Sequence, residues 1–285
     1  MRLTNASDVS ESALYRGFIK AFSEYKVPFL ISPEDFIIRF NHKLNVYKNL
    51  SVIALDQQDE VEGFIFHTLN NYKEIPTLYN GGTGVISDKR NSGLGVKMYE
   101  YIMPELLNTI ADRIILEVVT TNDPALALYR KLGFTYLRTF KCFKAKKFRA
   151  KHSNQEVVIM RNTDWDPDSY LDFQDFEASF IDNNQQVGFN IKNEMLLEAF
   201  LHNQCVGYAI FQPRLGRITQ MGVHRKHRGQ GVGSRLMQEM HTYSEKKEMT
   251  ILNIPEEAED LILFLEGQGF VNEIDQYEME LSLRS

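Results

Sequence analysis

The 285-residue sequence has two cysteines and one tryptophan, and none of its apolar runs approaches the roughly 18 residues that would cross a membrane. Cys142 and Cys205 are too few and too isolated for a disulfide framework or a thiolate metal site. The N-terminus, MRLTNASDVSE, lacks the basic segment and apolar core of an export signal, so a reducing cytoplasm is the expected compartment. A basic surplus is also missing. The 32 Lys and Arg stand against 38 Asp and Glu, a net charge of −6, which argues against a nucleic-acid or membrane-surface role for the whole chain. What is present, 43% hydrophobic and 25% charged residues, is the composition of a globular protein, and the length allows two domains with a core each.

One glycine-rich stretch occurs twice. Residues 84–96 read GVISDKRNSGLGV and residues 222–234 read GVHRKHRGQGVGS, so Gly84, Val85, Arg90, Gly93 and Gly95 recur at Gly222, Val223, Arg228, Gly231 and Gly233. Each copy follows a β-prone run and precedes a helical pattern. A strand that ends in a turn of little bulk and enters a helix leaves free N–H groups pointing outward, a site for phosphate or pyrophosphate.

The rest of the chain repeats around these turns. In the first half, apolar spacing predicts a helix over residues 10–25, and Ser32-Pro33-Glu34-Asp35 starts a second helix that carries Phe36, Ile37 and Phe40 inward. Residues 50–55 and 61–69 form a hairpin, and residues 77–87 a third strand in which Gly81-Gly82 marks a bulge. A helix over 93–110 contains Pro104, which should kink it. A buried strand follows at 113–119, then a helix at 125–131 closed by Gly133, and a last strand at 134–143. The second half reads as a strand at 155–161, a helix at 166–180, a hairpin at 195–201 and 205–211, a strand at 217–224, a helix at 231–247, a buried strand at 249–254 and a helix at 256–266. Gly133-Phe134 and Gly269-Phe270 stand 136 apart and the glycine turns 138 apart, so the chain is a tandem duplication. The lysine-rich run from Lys141 to Lys151 is expected to be a solvated connector, with domains at 1–148 and 149–285.

The dinucleotide fingerprint needs a third glycine, where this chain has Met98 or Ser234, and neither turn has the Gly-Lys-Ser/Thr of a nucleoside triphosphate loop. What does occur is Arg90-Asn91-Ser92-Gly93-Leu94-Gly95-Val96 at a strand end, followed by LEVVTTNDPALALYRKLGF with Asn122, Ala125, Tyr129, Gly133 and Phe134. This resembles the GNAT acetyltransferase superfamily, strongly over residues 84–134 and more weakly across both halves. The resemblance implies an α/β (α+β) fold of two tandem GNAT-type domains. Each would be a mixed, mostly antiparallel twisted sheet flanked by helices and splayed between its fourth and fifth strands.

The resemblance also implies an acetyl-coenzyme A site in that splay. Val85 or Ile86 would offer a backbone N–H to the thioester carbonyl, the turn Arg90–Val96 would hold the pyrophosphate, Asn122 would contact the pantetheine arm, and Tyr129 would protonate the leaving thiolate. In the second half Val223, Arg228, Gly229, Gly231, Gly233 and Ser234 are the matching cofactor positions. Asn122, Ala125 and Tyr129, however, map to Ala258, Leu261 and Leu265. The second half is thus expected to be degenerate in chemistry, with coenzyme A binding still open.

The expected reaction is direct attack of a primary amine, small-molecule or peptidyl, on the thioester. The amine needs a base, since a lysine-like amine at neutral pH is unprotonated in only about one molecule in 2,500. Glu24, Asp35, Glu74 and Glu117 are the candidates. Neither cysteine has an obvious histidine partner, and His224 and His227, set among cations in HRKHR, are poorly suited to a metal. No membrane or nucleic-acid partner is expected, and two like domains in one chain could act as an internal pseudo-dimer or pair further as a homodimer.

Overall fold

The computed structural model describes residues 1–23, 31–146 and 153–284. Compactness divides the chain into two units, Met1–Arg138 with Tyr277–Ser285, and Thr139–Gln276. The division expected at 148/149 lies outside the described residues, as do the end of the predicted first helix, Glu24, and the latter part of the lysine-rich run. Within that run Lys144 pairs with Glu248 at 2.5 Å.

In the first unit β1 (Arg2–Asn5) precedes α1 (Glu11–Phe22), which starts where Ser10 accepts the Ala13 amide and buries Ala13, Leu14, Gly17, Phe18 and Ala21. The side chain of Ser32 likewise accepts the Asp35 amide at 3.1 Å and opens α2 (Pro33–Ile38), with proline at the first position where its missing N–H is harmless. Phe36 and Phe40 are buried, but Ile37 is 38% exposed, because one residue along a helix turns the side chain about 100° away from the buried stripe.

β2 (Val52–Leu55), β3 (Val61–Tyr72) and β4 (Ile75–Val85) make an antiparallel meander. Alternate residues face two cores. Ile53, Phe64 and Phe66 meet the aromatics of α1 and α2, while Val52, Ala54 and Ile65 meet α3 (Leu94–Leu107). Pro104 lies inside α3, near its end. β5 (Arg113–Val119) then pairs parallel with β4, and α4 (Asp123–Lys131) leads to β6 (Thr135–Ala145). Gly133, at φ 93°, closes α4 while the Phe134 amide reaches back to the Tyr129 carbonyl at 2.9 Å.

In the second unit β7 (Val158–Asn162), β8 (Met195–Leu201), β9 (Gln204–Gln212) and β10 (Arg217–Val223) repeat the antiparallel order. The helix expected at 166–180 is absent. A 3-10 turn, Pro167–Phe173, stands there, and a short α5 (Asn184–Asn190) comes later. Tyr170 and Phe173 are buried three residues apart, with the Tyr170 ring stacked 4.5 Å from Tyr208, so tertiary packing selects the tighter winding. α6 (Val232–Tyr243), β11 (Met249–Pro255), α7 (Glu259–Gly267) and β12 (Val271–Ser282) complete the repeat.

The first half does not close with β6. β6 passes from one unit to the other at Arg138/Thr139, and β12 passes back at Gln276/Tyr277. The edge beside β5 is therefore taken by β12, and in the first unit Arg113–Glu280 and Arg138–Glu278 pair at 2.8 Å each. In the second unit residues of β6 pair antiparallel with β11. A β5 apolar but for Arg113 and Glu117 needs a neighbour on both edges, and β12 supplies the second.

His67 on β3 is fully buried, with Nδ1 at 2.8 Å from the Leu50 carbonyl oxygen, and burial pushes its pKa down from 6.5 to about 4. The unfolded chain therefore binds the proton first. Stability is fully present above pH 6.5 and is lost as pH falls toward 4, at up to about 1.4 kcal/mol per pH unit. Denaturant titrations of wild type and His67→Phe between pH 7 and 4 should show a shallower acid loss in the variant; equal slopes would remove His67 as the cause.

Candidate functional site

The two glycine turns have the same build. In the first, Asn91 and Gly93 take left-handed φ of 59° and 78°; in the second, Gly229 and Gly231 take 69° and 80°. The first helical bonds run from the Lys97 amide to Gly93 and from the Arg235 amide to Gly231, so the amides of residues 94–96 and 232–234 have no carbonyl within their helices. Gly95 is there for a different reason: a Cβ would stand 2.7 Å from Leu128 of α4.

Both arginines brace the turn. Arg90 donates to the Val85 and Ala21 carbonyls at 3.2 and 2.9 Å, and Arg228 donates to the Val223 carbonyl at 3.0 Å and pairs with Asp175 at 2.6 Å. The Ile86 amide is committed to the Glu62 carbonyl at 3.0 Å. The Ser92 hydroxyl donates to the Lys89 carbonyl. Leu94 is buried and the neighbouring Val96 is half-buried.

Beside each turn the sheet opens. β4 and β5 pair only from Thr77–Arg113 to Tyr79–Ile115, after which Gly81 forms the expected bulge against β3. β10 and β11 pair only at Arg217–Thr250 and Ile218–Ile251, and Thr219 is the matching bulge. A bulge adds local twist, which carries the paired strands apart at the end where the helix amides point.

The first unit places phenols and a carboxylate at this opening. The Tyr79 hydroxyl donates to Glu117, which sits on β5. Asn80 donates to Tyr99 and Thr83 at 2.7 and 2.8 Å, and its Oδ1 accepts the Gly82 amide. Asn122 caps α4 by accepting the Ala125 amide at 3.4 Å. Tyr129 is 6% exposed and packs edge-on against Phe134, 5.5 Å between centroids. Of the base candidates, Glu74 lies in an exposed turn and Asp35 in the α2 cap, so Glu117 is the described candidate at the splay. Tyr79, Asn80 and Tyr99 did not stand out in the sequence. The signal was there: an amide, Asn80, in a buried strand directly before paired glycines.

The second unit holds a cavity of about 600 Å³ between the turn at Gly229–Ser234, the ends of β10 and β11, and α7. Val223, Arg228, Gly229, Gly231, Gly233 and Ser234 all line it, and Leu261 takes the place of Ala125. The amides of its wall are already bonded: Asn253 donates to Ser179 at 3.2 Å, and Gln220 donates to Asn184 while accepting from Tyr208. Asp182 is held by Arg217 at 2.6 Å. Nothing in residue order marked this network.

Cys142 is buried against Asn253, and burial followed by the Glu198 charge pushes the half-buried Cys205 thiol up, so Cys205 is not poised as a thiolate. Among the described residues no cluster of three His, Cys, Asp or Glu could hold a metal, and no helix is long and apolar enough to cross a membrane.

Residues 15–134 match the Acetyltransferase (GNAT) family and residues 192–272 an Acetyltransferase (GNAT) domain. The chain belongs to the GNAT superfamily. It is an acyltransferase with two GNAT domains in tandem. An N-alpha-acetyltransferase of Sulfurisphaera tokodaii is 28% identical over 130 residues, 42% of this chain and 77% of the relative, and one of Saccharolobus solfataricus is 28% identical over 129. Among solved structures, a tandem GNAT protein from the clavulanic acid biosynthesis pathway aligns over 100% of this chain and 99% of its own, with TM-score 0.71 and 13% identity. A putative acetyltransferase from Pyrococcus horikoshii aligns over 99% of this chain and 89% of its own, with TM-score 0.73 and 16% identity. At such identities the likeness of these two is to the GNAT fold.

Proposed function

We propose that the protein is an acetyl-coenzyme A-dependent N-acetyltransferase whose reaction centre lies in the first unit. The observation that carries this is the contrast between the two openings. Glu117 and Tyr79 lie at the first, with Tyr99 and Tyr129 buried in the core of the same unit, while the sequence-matched positions of the second hold Asn253, Arg217, Met237 and Leu265. At these four matched positions, a carboxylate and three phenols stand in the first unit and none in the second.

Acetyl-coenzyme A would supply an acetyl group activated as a thioester. The amides of residues 94–96 would hold its pyrophosphate at the α3 N-terminus, a field worth about 0.3–2 kcal/mol. With the Ile86 amide already used, Val85 is the residue left to face the acyl carbonyl. Glu117, directly or through water, takes the surplus proton of the attacking amine, and Tyr129 gives its phenol proton to the departing thiolate. The acceptor is a primary amine. A peptide α-amine is the first to test, because the archaeal relatives are N-alpha-acetyltransferases.

Release of coenzyme A thiol from acetyl-coenzyme A is measured against peptides with free and blocked α-amines and against small polyamines. Thiol release that depends on a free amine, with a mass gain of one acetyl group, is the expected result. A second reading, a protein that binds coenzyme A without consuming it, is favoured by the second unit's cavity. Tight binding with no transfer across the whole panel would select it.

A further inference from the structure

The first unit buries a polar cluster of which the reaction as written uses only Tyr129. His67 and Tyr99 are fully buried, Asn80 is 5% exposed, and Tyr129 is 6% exposed. The Tyr99 ring meets His67 and Phe134 edge-on, each at 6.0 Å between centroids, and Phe134 meets Tyr129. The Tyr99 oxygen accepts from Asn80 at 2.7 Å, which leaves its own proton to donate. Asn80 is itself fixed, because its Oδ1 holds the Gly82 amide just beyond the Gly81 bulge.

The duplicate shows that the fold does not require these polar groups. By strand register and helix position, His67, Asn80, Thr83, Tyr99 and Tyr129 correspond to Phe211, Ile218, Met221, Met237 and Leu265. Phe211, Ile218, Met237 and Leu265 are buried and apolar, packed as an ordinary core. Every polar position is lost together with the tyrosine proposed as the acid. A purely architectural network would be expected in both copies.

We propose that Tyr99 is a positioning residue for Tyr129: Asn80 fixes the Tyr99 hydroxyl, and that hydroxyl donates to the Tyr129 oxygen as it gives up its proton. The inference rests on the reading of Tyr129 as the acid. In that step the amine nitrogen bonds to the acyl carbon, the carbon–sulfur bond breaks, sulfur takes the Tyr129 proton, and the amine's surplus proton passes to the base. Tyr129 is left as a phenolate, to be reprotonated from water. A phenolate in an apolar pocket needs a donor. Burial, and then the Tyr129 charge, push the Tyr99 pKa well above its ordinary value, so Tyr99 keeps its proton through the step.

Two measurements on the full chain test this. First, 3-fluorotyrosine is placed at position 129 and its titration followed by fluorine NMR. In Tyr99→Phe the midpoint should rise by about one pH unit, the sign expected when a donor to the charged form is removed; an unchanged or lower midpoint overturns the proposal. Second, thiol release from acetyl-coenzyme A is measured with the acceptor peptide. Tyr99→Phe should lower kcat about tenfold with KM for acetyl-coenzyme A unchanged, and should add no further loss in a Tyr129→Phe background. An equal loss in that background would make Tyr99 merely structural. Turnover unaffected by Tyr129→Phe would instead sink the acid assignment, while the NMR titration still judges the coupling of the two phenols.

Discussion

Tyr129→Phe is expected to lower kcat by about 100-fold or more while leaving acetyl-coenzyme A affinity within about twofold, since general acid catalysis is worth roughly 10²–10⁴. The substitution removes one oxygen and keeps the ring. Tyr129 packs with Phe134 in an apolar cluster that includes Leu126 and Met98, so phenylalanine fills the same space without a cavity. The matched position in the second unit, Leu265, is fully buried with no hydroxyl at all, which shows that this site on α7 is packed adequately by carbon alone. Stability should therefore change little, and a loss of turnover would report on chemistry. Thiol release measures the rate and calorimetry measures affinity. Unchanged kcat would remove Tyr129 as the acid; a parallel loss of affinity would assign it to binding instead.

Gly93→Glu and Gly231→Glu should each remove one of two acetyl-coenzyme A sites per chain, and only the first should abolish acetyl transfer. Both glycines hold φ near 80°, where an L-residue costs about 1–2 kcal/mol. That strain is bearable, because at Gly93 an added Cβ would meet nothing within 4 Å. The carboxylate is the larger effect. It would stand at the N-terminus of α3 or α6 beside the very amides that are to hold a pyrophosphate, compete for them, and repel the ligand. Calorimetric stoichiometry in wild type and both variants gives the count. Loss of transfer with Gly231→Glu alone would move the reaction centre to the second unit, and an absence of binding in wild type would overturn the coenzyme A reading.

Much of this arrangement is legible in the residue order because it depends on local backbone needs. Glycine at left-handed turns, serine at helix starts and the Gly81 bulge each follow from what a few adjacent residues can do. The duplication made the second set of elements readable from the first. Long-range choices were not readable in this way. The missing helix at 166–180 reflects Tyr170 finding Tyr208, a partner far along the chain. The departure of β6 and β12 from their own halves depends on which strand wins the open edge beside β5, and alternation of apolar residues is silent on that. In the site, the motif gave Tyr129 and Asn122, but the capping role of Asn122 and the Asn80–Tyr99 bond depend on side-chain direction. The bracing of Val85 and Val223 by the arginines depends on side-chain direction too, since an arginine near a phosphate loop reads equally well as a ligand.

The crossing of β6 and β12 also bears on synthesis. As the chain leaves the ribosome, the first unit has β1 to β5 and its glycine turn early, yet it lacks Tyr277–Ser285 until the whole second unit, Thr139–Gln276, has been made. Until then the strand beside β5 is missing, and an unpaired edge is a template for association with other nascent chains. Arg113 and Arg138 wait equally long for Glu280 and Glu278. The proposed reaction centre is thus made well before the strand that completes its sheet, so a product truncated ahead of Tyr277 would carry every residue of the motif without the strand beside β5.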